Sequence, residues 1–127
     1  MKDTITLITT STLAAILFLL HWTDEIARGM EKAQVANLPG VAIVVVWLIG
    51  SLILGARRSG YIVMLLFGIL GFGVLVLHMM GAGLLRGRIA NTPGMFFWVF
   101  TALLLGVTSA LSAILAAKGL WSTFRRR

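Results

Sequence analysis

The chain has 127 residues, of which 59% are hydrophobic and only 12% charged, with a mean hydropathy of +1.00. Water-soluble domains carry about 25% charged residues, so this composition excludes an ordinary soluble domain and calls for lipid as the solvent. The absence of cysteine excludes disulfides, thiolate catalysis, Cys-ligated zinc and iron–sulfur clusters, and the net charge of +7 lies in short basic clusters between apolar runs, which does not fit a nucleic-acid-binding face.

A membrane-crossing helix needs about 20 mostly apolar residues, because roughly 30 Å of hydrocarbon is crossed at about 1.5 Å per residue. The first such run spans about Ile5 to Trp22. Thr6, Thr9, Thr10, Ser11 and Thr12 dilute its start. It has no Ala-x-Ala-like exit and continues into HWTDEIARG, so it reads as a permanent helix with Met1 retained, not as a cleaved leader. The second run, about Leu38 to Ala56, follows NLPG, whose proline suits a first helical turn. ARRSG at Ala56 to Gly60 is a tight charged turn into the third run, about Tyr61 to Leu85. NTPG at Asn91 to Gly94 introduces the fourth, about Met95 to Ala117. Connections this short make successive helices adjacent and antiparallel. The expectation is one all-α transmembrane domain over residues 1–127, a compact antiparallel up-down bundle of four helices.

Lysine and arginine in short loops concentrate on the cytoplasmic side. With four spans, Lys2, Arg57, Arg58, Lys118, Arg125, Arg126 and Arg127 fall on one side, against Arg28, Lys32, Arg86 and Arg88 on the other. Both termini are therefore expected in the cytoplasm, with the protein multi-pass in a plasma (inner) membrane of prokaryotic type. Trp22, Phe96, Phe97 and Trp98 then mark the outer interface, and Tyr61, Trp121 and Phe124 the inner one.

This topology carries the two histidines, His21 on the first helix and His78 on the third, to the same outer level, together with Asp24, Glu25 and Glu31. At 100° per residue, Thr6, Thr10, Leu17, His21, Asp24 and Arg28 share one stripe of the first helix, expected to face protein. His78 shares a face with Gly71 and Ala82, small residues that let helices approach closely. Ionisable groups inside a membrane are costly and point to function, so His21, His78, Asp24 and Glu25 form the candidate site. A divalent metal fits His21, His78 and Asp24, the last one turn from His21. A b-type haem fits the two histidines, with Gly71 making room and Arg86 or Arg88 meeting propionates. Proton carriage by histidine and carboxylate is the third chemistry. The competing reading is that both histidines are interfacial residues bonded to water or head groups. Met30, Met79, Met80 and Met95 lie at the same level, but adjacent Met79 and Met80 cannot face one way, which argues against copper.

The remaining signals are structural first. GILGFG at Gly68 to Gly73 is a packing stretch, since no phosphate loop forms inside a membrane helix. Ala102, Ser109, Ala113 and Ala116 form a small-residue contact face on the fourth helix, with Thr101, Thr108 and Ser112 beside it as a second, hydroxyl-lined reading. Trp47 sits mid-helix and needs an acceptor for its indole N–H, which Ser51 can supply one turn on; a stacking wall for a ligand is the alternative. Arg57, Arg58 and the terminal arginines make a basic rim attractive to anionic lipid. The span from Ile5 to Leu20 holds no carboxylate and both asparagines lie in loops, which removes the patterns of small multidrug-resistance transporters and of fluoride channels. No nucleophile–base pair is visible, so an enzyme is not expected. The expected function is binding of a metal ion, haem or small ligand at the outer cluster. The rivals are a small oligomeric, proton-coupled transporter or channel and an accessory subunit of a larger membrane complex. The expected partners are membrane lipids, further copies of the chain or a larger membrane complex, and not nucleic acid.

Overall fold

A computed structural model describes residues 2–81 and 93–125. Helix α1 runs Lys2–Ala27. A 3₁₀ turn, Val35–Asn37, leads into α2, Leu38–Leu48, which continues as a π-helical segment, Ile49–Leu54. Helix α3 spans Arg58–Gly81 and α4 spans Pro93–Arg125. The chain is all-helical among the described residues, and four helices are long and apolar enough to cross a membrane. Arg86, Arg88 and Ala82, and the expected continuation of the third helix to Leu85, lie outside the described residues.

Helices α1 and α4 are longer than their apolar runs. Helix α1 passes Trp22 by more than a turn because Thr23 returns its hydroxyl to the Leu19 carbonyl at 2.7 Å, and Arg28 grips Asp24 one turn back. That extension carries Glu25 on rigid helix. Helix α2 ends at Gly55, whose φ of +44° is a left-handed geometry that favours glycine.

The buried face of α1 is Leu7, Ser11, Ala14, Ala15, Leu17 and His21. This corrects the stripe through Thr6, Thr10, Asp24 and Arg28: Thr6 and Arg28 are exposed, and Thr10 and Asp24 are half-buried. The physical reason is self-satisfaction. Thr6 donates to Lys2 O at 3.0 Å and Thr10 to Thr6 O at 2.8 Å, so neither hydroxyl needs the interior. Ser11 and the two alanines, being small, turn inward and let α1 pack closely.

Packing pairs α1 with α4 along their length. Asp3 meets Lys118 at one end, Leu7 clusters with Ala116, Tyr61 and Met64, Ala14, Ala15 and Leu17 cluster with Trp47 and Leu105, and His21 meets Thr101 at the other end. The α3–α4 seam is closer still. A Cβ on Gly68 would sit 2.9 Å from Ser109 O and Ala113 N, and one on Gly71 would run into the Ser109 side chain. Only glycine permits backbone contact at that range.

Trp47 is fully buried, and its acceptor is not Ser51 but Ser11 of α1, at 2.9 Å. Ser51 donates to the Trp47 carbonyl at 3.0 Å, which leaves the Ser11 hydroxyl to donate to Ser51 Oγ at 2.8 Å. All three side chains are thereby satisfied, and α2 is tied to α1. Ser51 donates to its own helix's carbonyl and accepts from Ser11, so it joins the network through Ser11 and does not hold the indole itself. Phe67 of α3 stacks on Trp47 with centroids 5.4 Å apart, and Phe18 of α1 lies 6.1 Å away.

Candidate functional site

The α1 stripe through Leu7, Ser11, Ala14 and His21 continues, one turn on, to Glu25, not to Asp24. The difference decides the site. Glu25 enters the space between α1, α3 and α4, and Asp24 turns away into a two-pronged ion pair with Arg28, at 2.6 Å to Nε and 2.9 Å to Nη2. Asp24, expected as a metal ligand, is not part of the cluster. Its shorter side chain has a guanidinium at i+4, the favourable spacing for a helix ion pair.

His21, Glu25 and His78 come together, with one ligand atom from each lying within 4.8 Å of the others. His78 Nε2 is 2.7 Å from Glu25 Oε1 and His21 Nε2 is 3.7 Å from the same oxygen. The imidazoles are edge to face with centroids 5.0 Å apart. Trp98 of α4 closes the cluster: its ring lies 5.3 Å from His21 and 5.0 Å from His78, and its indole N–H donates to Glu25 Oε1 at 3.1 Å.

Hydrogen-bond bookkeeping fixes how the rings present themselves. Val74 O can only accept, so the 2.7 Å contact from His78 Nδ1 requires an N–H there. Thr101 gives its hydroxyl proton to the carbonyls of Phe97 and Trp98, both at 3.0 Å, so its oxygen accepts from His21 Nδ1 at 3.0 Å. In the neutral form, both histidines therefore turn an Nε2 lone pair toward Glu25. Three electron-pair donors facing one point call for something electropositive between them, a proton or a metal ion. His21 Nε2 is buried and without a hydrogen-bond partner, which is the cost a bound cation would remove.

The chemistry of this set is that of a borderline metal ion: two imidazoles and a carboxylate, each imidazole held by a hydrogen bond from its other nitrogen, with one coordination position left over. Glu25 and His78 are partly accessible, at 16% and 20%, and His21 is buried at 2%. Glu25 and His78 thus keep partial access from outside, whereas His21 is enclosed.

Trp98 and Thr101 belong to this site, although their places in the sequence point elsewhere, Trp98 to an aromatic belt and Thr101 to the flank of a packing face. One signal was available: they sit one turn apart, in register with Ala102, Leu105, Gly106 and Ser109, which face the bundle interior. The Val74 carbonyl has no sequence signal. Trp47 and Ser51 are not in the cluster; they lie in the mid-helix network with Ser11. No protein family, no curated protein and no solved structure matches the chain.

Proposed function

We propose that this is a multi-pass membrane protein that binds a divalent transition-metal ion, zinc-like in its preferences, through His21 Nε2, His78 Nε2 and Glu25. The helices form an up-down bundle with both termini in the cytoplasm and the ion site at the opposite face. The observation that carries this reading is the convergence of two imidazole nitrogens and a carboxylate oxygen within 4.8 Å, with both imidazoles oriented through Nδ1. Imidazole and carboxylate donors suit zinc, iron and nickel, and a fourth position open to water or an incoming ligand is the mark of a site that exchanges its ion or acts on something. A haem between the two histidines fits less well, because its plane would have to part rings that lie 5.0 Å apart with Trp98 packed against both.

The test is elemental analysis and cobalt substitution. Protein purified in detergent, stripped with chelator and reloaded with Zn²⁺ or Co²⁺ should hold about one ion per chain, and Co²⁺ should give a visible absorption band of nitrogen–oxygen ligation. His21→Ala, His78→Ala and Glu25→Gln should each abolish it. Failure of the wild type to take up any ion, or uptake that survives all three changes, rejects the reading.

A second reading, translocation of ions or protons by an assembly of copies, is favoured by one observation. Thr12, Ser109 and Ser112 bury hydroxyl oxygens with no hydrogen-bond partner among the described residues, on helix α1, which carries His21 and Glu25, and helix α4, which carries Trp98 and Thr101. Flux of Zn²⁺ or protons into vesicles containing the protein, abolished by His78→Ala, distinguishes transport from binding alone.

A further inference from the structure

The opposite end of the molecule holds a cavity of about 450 Å³, lined by residues that include Asp3 and Leu7 of α1, Tyr61 of α3, and Leu115, Lys118 and Ser122 of α4. Its size is in the range of small-ligand sites. It exists because Gly119 lets the Tyr61 ring lie flat on α4, where a Cβ would collide with it. Its lining mixes apolar residues, Leu7 and Leu115 among them, with hydroxyl groups and one charged pair, in which Asp3 accepts a 2.8 Å hydrogen bond from Lys118 and both side chains are exposed.

Charge accounting says what this end lacks. The chain has four carboxylates, and three are committed elsewhere: Asp24 to Arg28, Glu25 to the histidines and Trp98, and Glu31 to Trp22 and Asn37 at 2.8 Å each. Asp3 alone remains, and it is shared with Lys118. Arg57, Arg58 and Arg125 therefore have no carboxylate side chain as partner among the described residues. Arg58 lies over the Phe124 ring at 4.4 Å and Arg125 over Trp121 at 5.5 Å, aromatic contacts that hold a guanidinium without neutralising it. A cavity lined by both apolar and polar groups, at an end of the molecule where basic side chains outnumber carboxylates, matches a ligand with an anionic head and a hydrocarbon body.

We infer that this cavity is a binding site for an anionic phospholipid, its phosphate taken by Lys118 in place of Asp3 and its glycerol and upper chain resting on Leu7, Tyr61 and Leu115. Asp3 acts as a built-in competitor that occupies Lys118 when no lipid is bound. The site is independent of the metal cluster.

Native mass spectrometry of the full chain in detergent tests this, with phosphatidylglycerol, phosphatidylcholine and inorganic phosphate as probes. Phosphatidylglycerol should be retained at one per chain, and phosphatidylcholine and phosphate should not. Lys118→Ala should weaken retention about fivefold, the value of one basic contact to an anionic lipid. Asp3→Asn should tighten it, since the competitor is gone, and His78→Ala should leave it unchanged. Lys118 and Asp3 are exposed, so neither change threatens folding. Equal retention of phosphatidylcholine, binding of free phosphate as tight as that of lipid, indifference to Lys118→Ala, or weaker binding in Asp3→Asn would each overturn the assignment.

Discussion

Asp24 and Glu25 are adjacent, carry the same charge, and do different work because 100° of helix separates them. Glu25 meets two imidazoles and an indole; Asp24 meets only Arg28. Asp24→Asn should therefore leave metal occupancy intact, with Glu25→Gln abolishing it, and a titration with Co²⁺ reads both. Thr101 reaches the cluster's ligand atoms only through His21. Its hydroxyl fixes the ring so that Nε2 points at Glu25, a kind of support whose loss typically lowers metal affinity about 10–100-fold. Thr101→Val should show that loss and Thr101→Ser should restore binding, an outcome that a purely space-filling role for Thr101 does not produce. Because protons and metal compete for the same Nε2 lone pairs, occupancy should fall as pH is lowered from about 7.5 to about 5.5, the range in which imidazole titrates, and recover on return. Occupancy flat across that range counts against imidazole ligation.

Each helix earns its place through one narrow seam, and the seams differ in how far they can yield. At Gly68 of α3 the neighbouring atoms are α4 backbone, at Gly71 they are the Ser109 side chain with Trp47 beside it, and at Gly73 nothing lies within 4 Å. Alanine at these three positions should destabilise in that order, with Gly68→Ala costing about 1–3 kcal/mol as an overpacked contact and Gly73→Ala nearly silent, read as thermal midpoints in one detergent. Equal effects at Gly68 and Gly73 would remove the close α3–α4 contact from the account. The same seams explain what could be read from sequence. Four apolar runs and their breaks were legible because length and hydropathy suffice to find them, and the shared level of His21 and His78 followed from those runs. The rotation of α1 was not legible, because threonine hydroxyls satisfied by their own helix look polar in sequence but can face outward. A stripe that starts at Thr6 and Thr10 reaches Asp24, whereas one that starts at Leu7 and Ser11 reaches Glu25, so the rotation of α1 decides which carboxylate joins the histidines. Trp47 donates to Ser11 of the neighbouring helix and not to Ser51 one turn on, whose oxygen accepts from Ser11, an arrangement visible only when the helices are placed side by side.

At the scale of the whole molecule, chemistry is divided between the two ends. Large apolar side chains such as Leu77, at 70% exposure, and Ile114, at 66%, stand outward along the helices. Three of the four carboxylates and both histidines lie at one end, and Lys118, Arg57, Arg58 and Arg125 at the other. Asp3 and Glu25 are separated by 22 residues of continuous helix, about 33 Å at about 1.5 Å per residue, which matches the roughly 30 Å of a bilayer's hydrocarbon core. A helix of that length cannot keep both ends on one side of a membrane it crosses. The ion cluster and the basic end should therefore face opposite compartments, with the basic end inside by the bias of lysine and arginine. Vesicles loaded with Zn²⁺-bound protein can be sorted by whether external trypsin reaches the terminal arginines. In the population that trypsin cannot cleave, a membrane-impermeant chelator added outside should strip the metal without detergent; in the cleavable population it should not. The reverse pattern, or metal released from both, would place the ion and the arginines on the same side, and the four-span arrangement proposed for this chain would fall with it.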